Sequence, residues 1–322
     1  MLMSGSASEP LIQKFGDKIA PQLERGDFTT YSSGKELPFL NDIVQYLDST
    51  YARHRNQTIF AKCKYAHGSP LVTYGTLSTF GKQSVELGDI LLVCTFWHNK
   101  SVAGRQAFVS QTKCQKWKSP GRMYWTLRDH QHELLATRPE FRLDYSDATT
   151  WYDLSAVNKS FLNYSFVGDI HRPFFYTAPD MEPFIDASNA ETRFYYGRNP
   201  PSSNRYLLST VKNLLRKRYG ASFSSGDRVY ELIDEIYRRA KLDRSHSVNQ
   251  FPPYTDGGQP SDGFAIISVN ADTDGSIVNL DYVPEDEEEI SPGIRADIEG
   301  DVGSAFEGID DEGLAFDRIG SE

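Results

Sequence analysis

Cysteine is scarce. Cys63, Cys94 and Cys114 are the three in a chain of 322 residues. Their number is odd and no pair is spaced as Cys-x-x-Cys. That argues against a disulfide framework or a structural zinc site, and it fits a reducing cytoplasm. Long apolar runs are missing too. No stretch approaches the roughly 18 to 20 apolar residues that a membrane helix needs, so no membrane contact is expected. The stretch from Met1 to Pro10 is small and polar, without a basic start and an apolar core, and predicts no secretory signal. No Gly-x-Ser-x-Gly, Walker-type or glycine-rich dinucleotide signature occurs. Serine-hydrolase, NTPase and Rossmann readings therefore have no support. Nothing resembles a zinc finger or another base-reading motif, and there is no internal repeat.

What is present is an ordinary globular composition, 39% hydrophobic and 24% charged. That is enough for a core and one or two domains, and it excludes a collagenous or wholly disordered chain. The charge is uneven. Residues 281–322 hold 15 Asp and Glu against 2 Arg, or −13 of the net −10. The remaining 280 residues hold 32 basic and 29 acidic side chains, a net +3. A mildly basic body with an acidic tail suggests contact with a polyanion, or a tail that competes with one.

Residues 1–30 read as an irregular lead-in. Glu36 to Leu47 has apolar residues at helical spacing, with Pro38 tolerable in the first turn. Short strands and turns follow over 58–80. Asp89 to Trp97 (DILLVCTFW) reads as a buried strand, His98 to Gly104 as a turn, and Gln106 to Lys113 (QAFVSQTK) as the second strand of a hairpin. Trp125 to Ala136 predicts a helix; the aromatic stretch 141–194 gives no clear pattern. Asn204 to Tyr219, stopped by Gly220, and Asp227 to Ala240 predict amphipathic helices. A last hairpin is expected between Phe264 to Asn270 and Ile277 to Val283. The resulting division is a lead-in (1–30), an α/β core (31–190), a basic helical segment with a β-hairpin (191–283) and a disordered acidic tail (284–322).

The hairpin carries the chemistry. Residues two apart on a strand face the same way, so Gln111 and Lys113 project together. A turn centred near 100–101 puts Asp89 opposite Gln111 to Lys113 on the adjacent strand. Glu86, in the run ELGD, brings a second carboxylate to the same rim. Asp89 offers an anionic oxygen, Gln111 a carboxamide carbonyl, and Thr112 a backbone carbonyl. Such a sparse oxygen set leaves room for water and phosphate, as Mg²⁺ prefers. Lys113 would orient a water or stabilise charge building on a phosphorane. The matching reaction is hydrolysis of a phosphodiester.

The order Glu86-x-x-Asp89, hairpin, Gln111-Thr112-Lys113 resembles the PD-(D/E)xK restriction-endonuclease-like superfamily, in its Gln-x-Lys branch. The stretch ELGDILLV…QAFVSQTK…QHELL is similar to predicted nucleases of prokaryotic defence systems. The resemblance implies a restriction-endonuclease-like α/β core, a mixed sheet flanked by helices. It gives metal binding to Asp89 and Gln111, and the attacking water to Lys113. Gln131 resembles the helical glutamine of exonuclease-type members. An acid on the first helix is also implied, and Glu36 or Asp42 could serve. The implied activity is a Mg²⁺- or Mn²⁺-dependent deoxyribonuclease acting in antiviral defence, with DNA as partner and with an activating protein or a second copy as further partners. The competing class is a non-enzymatic nucleic-acid- or protein-binding component of a defence system.

Other features are less specific. Residues 193–244 hold 12 Arg and Lys against 5 Asp and Glu. Lys212, Arg216, Lys217 and Arg218 end one helix, and Arg238 and Arg239 the next, as candidate phosphate contacts. Their ordinary alternative is solvated helix ends favoured by the helix dipole. Asn270-x-Asp272-x-Asp274-Gly275, with Asp281, mimics a calcium loop but lies between strands, which favours a plain turn. His130 and His132 read as surface histidines. The acidic tail reads as a solubility extension, or as a cover for the basic segment.

Overall fold

A computed structural model of the protein describes residues 6–24, 36–67, 70–75, 82–117, 123–168, 173–182, 185–186, 192–196, 205–239 and 263–276. The elements run α1 (Glu9–Glu24), α2 (Glu36–Leu47), β1 (Tyr51–His54), β2 (Gln57–His67), β3 (Leu71–Gly75) and β4 (Lys82–Glu86). Then come β5 (Ile90–His98), β6 (Ser101–Cys114), β7 (Lys116–Trp117), β8 (Met123–Leu127), α3 (Asp129–Thr137) and β9 (Phe141–Leu143). β10 (Leu162–Val167), β11 (Phe174–Thr177), α4 (Ala178–Met181), β12 (Ile185–Asp186) and β13 (Thr192–Tyr196) follow. The last are α5 (Leu207–Leu215), β14 (Ala221–Phe223), α6 (Arg228–Arg239) and β15 (Gly263–Asp272).

The fold is α/β, a mixed sheet flanked by helices. The main sheet has the order β1-β2-β15-β5-β6-β10-β11, with β14 alongside β6. β15 runs parallel to β5, and β10 parallel to β6. Both faces of the β5–β6 hairpin are covered, so its strands read as continuous apolar runs. Leu91, Val93, Ala107 and Val109 join one core with Trp125, Tyr164, Phe166, Phe194 and the apolar stripe of α6. Ile90, Leu92, Cys94, Phe96 and Phe108 join the other, under α1, α2 and α5. Two smaller sheets, β12-β13-β8-β7 and β4-β3-β9, accompany it among the described residues.

Several expectations are corrected. The lead-in is not irregular: α1 buries Leu11, Ile12, Phe15, Ile19 and Leu23. Pro10 sits in its first turn, where the N–H has no helical partner to lose, and Pro21 lies inside its last turn. Trp125 to Leu127 is strand, because Trp125 is fully buried and its segment pairs with β13. The helix starts only at Asp129. Gly263 to Asp272 is one long strand inserted between β2 and β5. It is therefore not the first arm of a terminal hairpin; Ile277 to Val283 lie outside the described residues. Since β14 and β15 belong to the main sheet, 191–283 is not a separate segment, and residues 1–280 form one compact unit. The acidic tail lies outside the described residues. Among the described residues, no helix is long and apolar enough to cross a membrane.

Candidate active site

The β5–β6 turn is tighter than the sequence suggested. Asn99 (φ 51°) and Lys100 (φ 59°) make a two-residue turn of positive φ, the kind that matches strand twist. The pairs nearest it are His98↔Ser101 and Trp97↔Val102. The next pair is Phe96↔Gly104, so Ala103 is an extra residue, a β-bulge. The bulge sets the site. Without it Asp89 would face Ser110, and every side chain of β6 would be presented one place out of step. With it the ladder reaches Ile90↔Ser110, the Asp89 N–H donates to the Ser110 carbonyl at 2.8 Å, and Asp89 stands opposite Gln111. Gly88 allows this approach, since a Cβ there would lie 2.6 Å from Val109 Cγ1.

Asp89, Gln111, Thr112 and Lys113 are all buried. Asp89 Oδ2 accepts from Gln111 Nε2 at 2.5 Å and from the Thr112 N–H at 2.6 Å. Gln111 Oε1 accepts from Gln131 Nε2 at 2.5 Å, and the same Nε2 donates to the Glu86 carbonyl at 3.2 Å. Gln131 thus ties the first turn of α3 to both the hairpin and the end of β4. That turn is held in place by Tyr74, whose hydroxyl donates to the His130 carbonyl at 2.6 Å. Of the two helix acids, Glu36 is the one brought to the cluster. It opens α2, and its Oε1 lies 3.8 Å from Lys113 Nζ. Asp42 lies farther along the same helix, buried, with interactions of its own.

Three acids therefore bear on one another, and one of them, Glu36, lies beside the Lys113 ammonium. Burial raises the Asp89 carboxyl far above the usual carboxylate range. Glu36 and Glu86 push it the same way, against Lys113 and the Thr112 N–H. Burial also raises Glu36; Lys113 opposes the shift and Glu86 adds to it. Cys114 stays a thiol, pushed up to about 12 by burial and then by Glu36. Crowded, desolvated carboxylates of this kind are stabilised by taking up a proton or a cation.

The donor chemistry fits a hard divalent cation in kind: carboxylate and amide oxygens, with no soft ligand in the cluster. Asp89 and Glu36 would hold it, with Glu86 beside them. Among the described residues, no three His, Cys, Asp or Glu side chains converge as a ready ligand cage. The other two expected ligands are engaged with Asp89 and Gln131. Gln111 turns its amide nitrogen, not its carbonyl, toward Asp89, because Asp89 is an acceptor and Gln131 takes the Gln111 oxygen. Thr112 meets Asp89 through its N–H, and its carbonyl receives Gln111 Nε2 at 3.4 Å.

The basic residues do not make one patch. α5 packs on the face shared with α1 and α2, and α6 on the opposite face. Arg216 pairs with Glu9, Lys212 reaches Gln13 Oε1 at 3.1 Å, and Lys217 lies over the Phe96 ring at 4.3 Å. Arg218 adds its field to Glu9. Arg238 and Arg239 both pair with Glu235, and Arg239 also with Asp147. These partners are intramolecular, which weakens the expectation of a shared DNA-contacting surface. His132 is not a surface histidine; burial lowers its pKa, and its ring stacks on Tyr164.

The calcium-loop mimic is a clasp on the hairpin turn, at the other end of β5. Asp274 accepts from the Asn99 N–H at 2.7 Å and from the Ser276 N–H at 3.1 Å. Trp97 Nε1 donates to Asn270 Oδ1, and Asp272 Oδ1 accepts from the Gly275 N–H. Asp281 lies outside the described residues. Burial works against the Asp274 charge, but Ser276 and the Asn99 N–H outweigh it and hold the carboxyl at about 2. A depressed carboxyl stabilises the fold above its unfolded value, near 4, and the benefit fades as pH falls toward the folded value. Asp274→Ala should therefore cost about 1 kcal/mol at pH 7, with the difference shrinking toward pH 2. Thermal melts of both proteins at the two pH values check this; a difference that does not depend on pH would contradict it.

In comparisons with protein-family models, curated proteins and solved structures, the chain matches none.

Proposed function

We propose that the chain is a Mg²⁺- or Mn²⁺-dependent deoxyribonuclease with a restriction-endonuclease-like core, of the Gln-x-Lys kind, acting against foreign DNA. One observation carries the reading. Asp89, Gln111 and Lys113, named from a short motif, are buried together, Glu36 from α2 reaches Lys113, and Glu86 at the end of β4 acts on both acids. When bound, the cation supplies positive charge to a phosphoryl oxygen and lowers the pKa of an attacking water. The chain's own residues do the rest. Asp89 and Glu36 provide the anionic oxygens. Gln111 fixes the Asp89 carboxylate, and Gln131 fixes Gln111. Lys113 Nζ orients the water and stabilises charge on the phosphorane.

A direct test follows Mn²⁺ binding by electron paramagnetic resonance, beside cleavage of labelled DNA and RNA. Binding is expected in the wild type and not in Asp89→Ala, with DNA the cleaved substrate. A wild type that ignores Mn²⁺ would end the metalloenzyme reading. One observation favours the second reading, a non-catalytic binding component: Asp89 Oδ2 already has two protein donors. That reading requires the same flat response to Mn²⁺ in both proteins.

A further inference from the structure

Gln131 is almost completely buried, at 1% exposure, and its Oε1 has no hydrogen-bond partner among the described residues. An orphaned oxygen in a core costs free energy and asks for a reason. The reason begins at Asp89. Its Oδ2 accepts the Thr112 N–H, so Gln111 must also present a donor to it, Nε2 at 2.5 Å. That turns Gln111 Oε1 toward α3, where Gln131 answers with its own Nε2, at 2.5 Å. The same Nε2 gives to the Glu86 carbonyl at 3.2 Å. The direction set at Asp89 is thus handed along two carboxamides, and Gln131 Oε1 is left over. A carboxamide is nearly two-fold in shape. A half-turn of its last torsion exchanges oxygen and nitrogen and leaves the rest of the side chain in place. Turned together, Gln111 and Gln131 make a second arrangement, in which the Gln111 carbonyl faces Asp89 and the Gln111 N–H meets the Gln131 oxygen. Positive charge beside Asp89 decides between the two. An N–H aimed at that carboxylate opposes such a charge, and a carbonyl oxygen favours it.

We propose that Gln131 is a positioning residue that acts through Gln111. It holds the Gln111 N–H on Asp89 in the arrangement seen. When a divalent cation binds, it turns with Gln111, and its spare oxygen takes the Gln111 N–H. The inference rests on the metal-dependent reading of the site and adds how that site is regulated. The turn gives up the bond to the Glu86 carbonyl, the longest of the three in the relay. That loss raises the cation concentration at which the site fills.

The test follows the full chain by NMR, with the Gln111 side-chain amide signal identified by its loss in Gln111→Leu. In EDTA the Gln111 amide protons and the Thr112 N–H converge on one oxygen, Asp89 Oδ2, so a nuclear Overhauser effect between them is expected. Saturating Mg²⁺ should abolish it. Gln131→Glu gives the second readout. Ionised, a carboxyl at 131 only accepts; protonated, it accepts from Gln111 and still gives its O–H to the Glu86 carbonyl. Either form favours the turned arrangement. Its Mn²⁺ affinity by electron paramagnetic resonance should rise roughly fivefold, the worth of one hydrogen bond. The rise should vanish when Gln131→Glu is combined with Gln111→Leu, which leaves the added charge alone. A through-space signal that survives in the Mg²⁺-loaded protein overturns the relay, and so does an equal rise with and without Gln111. A wild type that binds no Mn²⁺ ends the nuclease reading and the relay together, whereas binding with an unmoved signal rejects the relay alone. A cation-driven turn in a protein that does not hydrolyse bis(p-nitrophenyl) phosphate keeps the relay and rejects the nuclease.

Discussion

Lys113→Ala is expected to lose DNA cleavage by roughly 10²–10⁴-fold, the range for a positioned group that handles a proton or stabilises developing charge. The loss should not come from unfolding. Lys113 lies near the end of β6, and its backbone pairs with Phe166 in the β10 ladder whatever its side chain. Nor should it come from lost metal. The ammonium is the one cation within 4 Å of Glu36 among the described residues, and removing it takes a repulsive charge away from an incoming divalent ion. Lys113→Ala should then bind Mn²⁺ at least as tightly as the wild type while failing to cut. Lys113→Met, which keeps the apolar stem, should behave alike. Circular dichroism, an Mn²⁺ titration and a cleavage time course separate the three effects. Cleavage at the wild-type rate would remove Lys113 from the chemistry, and weakened Mn²⁺ binding would make it a structural prop instead.

The hairpin was legible because two independent signals agreed. Its strands are apolar on both faces, which marks burial, and period-two alternation then aligns Gln111 with Lys113. The turn itself was misjudged, yet Asp89 still lands opposite Gln111. The tight turn at Asn99 and Lys100 moves the ladder one way, and the Ala103 bulge moves it back. Helix α2 was legible to the residue from its apolar spacing, although nothing local says whether Glu36 or Asp42 reaches the sheet. That choice depends on where α2 docks. The insertion of β15 between β2 and β5 was hidden for the same reason. Pairing across some two hundred residues is fixed by the assembled sheet, and local pattern gives only the strand. Gln131 was visible as a helical glutamine, while its double role, bonding both Gln111 and the Glu86 carbonyl, depends on how α3 docks against the hairpin and β4.

Asp89→Asn should produce opposite changes in stability with and without metal. In the metal-free protein the Asp89 carboxyl is raised above its unfolded value by burial and by Glu36 and Glu86. The folded state therefore holds the proton more tightly than the unfolded state. Stability is fully present below the unfolded value, about 4, and declines as pH rises toward the folded value. An asparagine can accept from the Thr112 N–H and Gln111 Nε2 without carrying that charge. Metal-free Asp89→Asn should be the more stable protein at pH 8, and its advantage should shrink toward pH 4. Glu36, also raised, leaves both proteins a shallower common slope. Saturating Mn²⁺ reverses the order. At a hundred times its dissociation constant, a ligand bound only to the folded state adds about 2.7 kcal/mol, several degrees in melting temperature for a domain of this size. The wild type should gain that much and the variant nothing. Melts at two pH values, each with EDTA and with Mn²⁺, give the four numbers required. If the two metal-free proteins share one pH profile, Asp89 is not the strained acid of the cluster. If Mn²⁺ stabilises the variant as it does the wild type, the cation binds elsewhere.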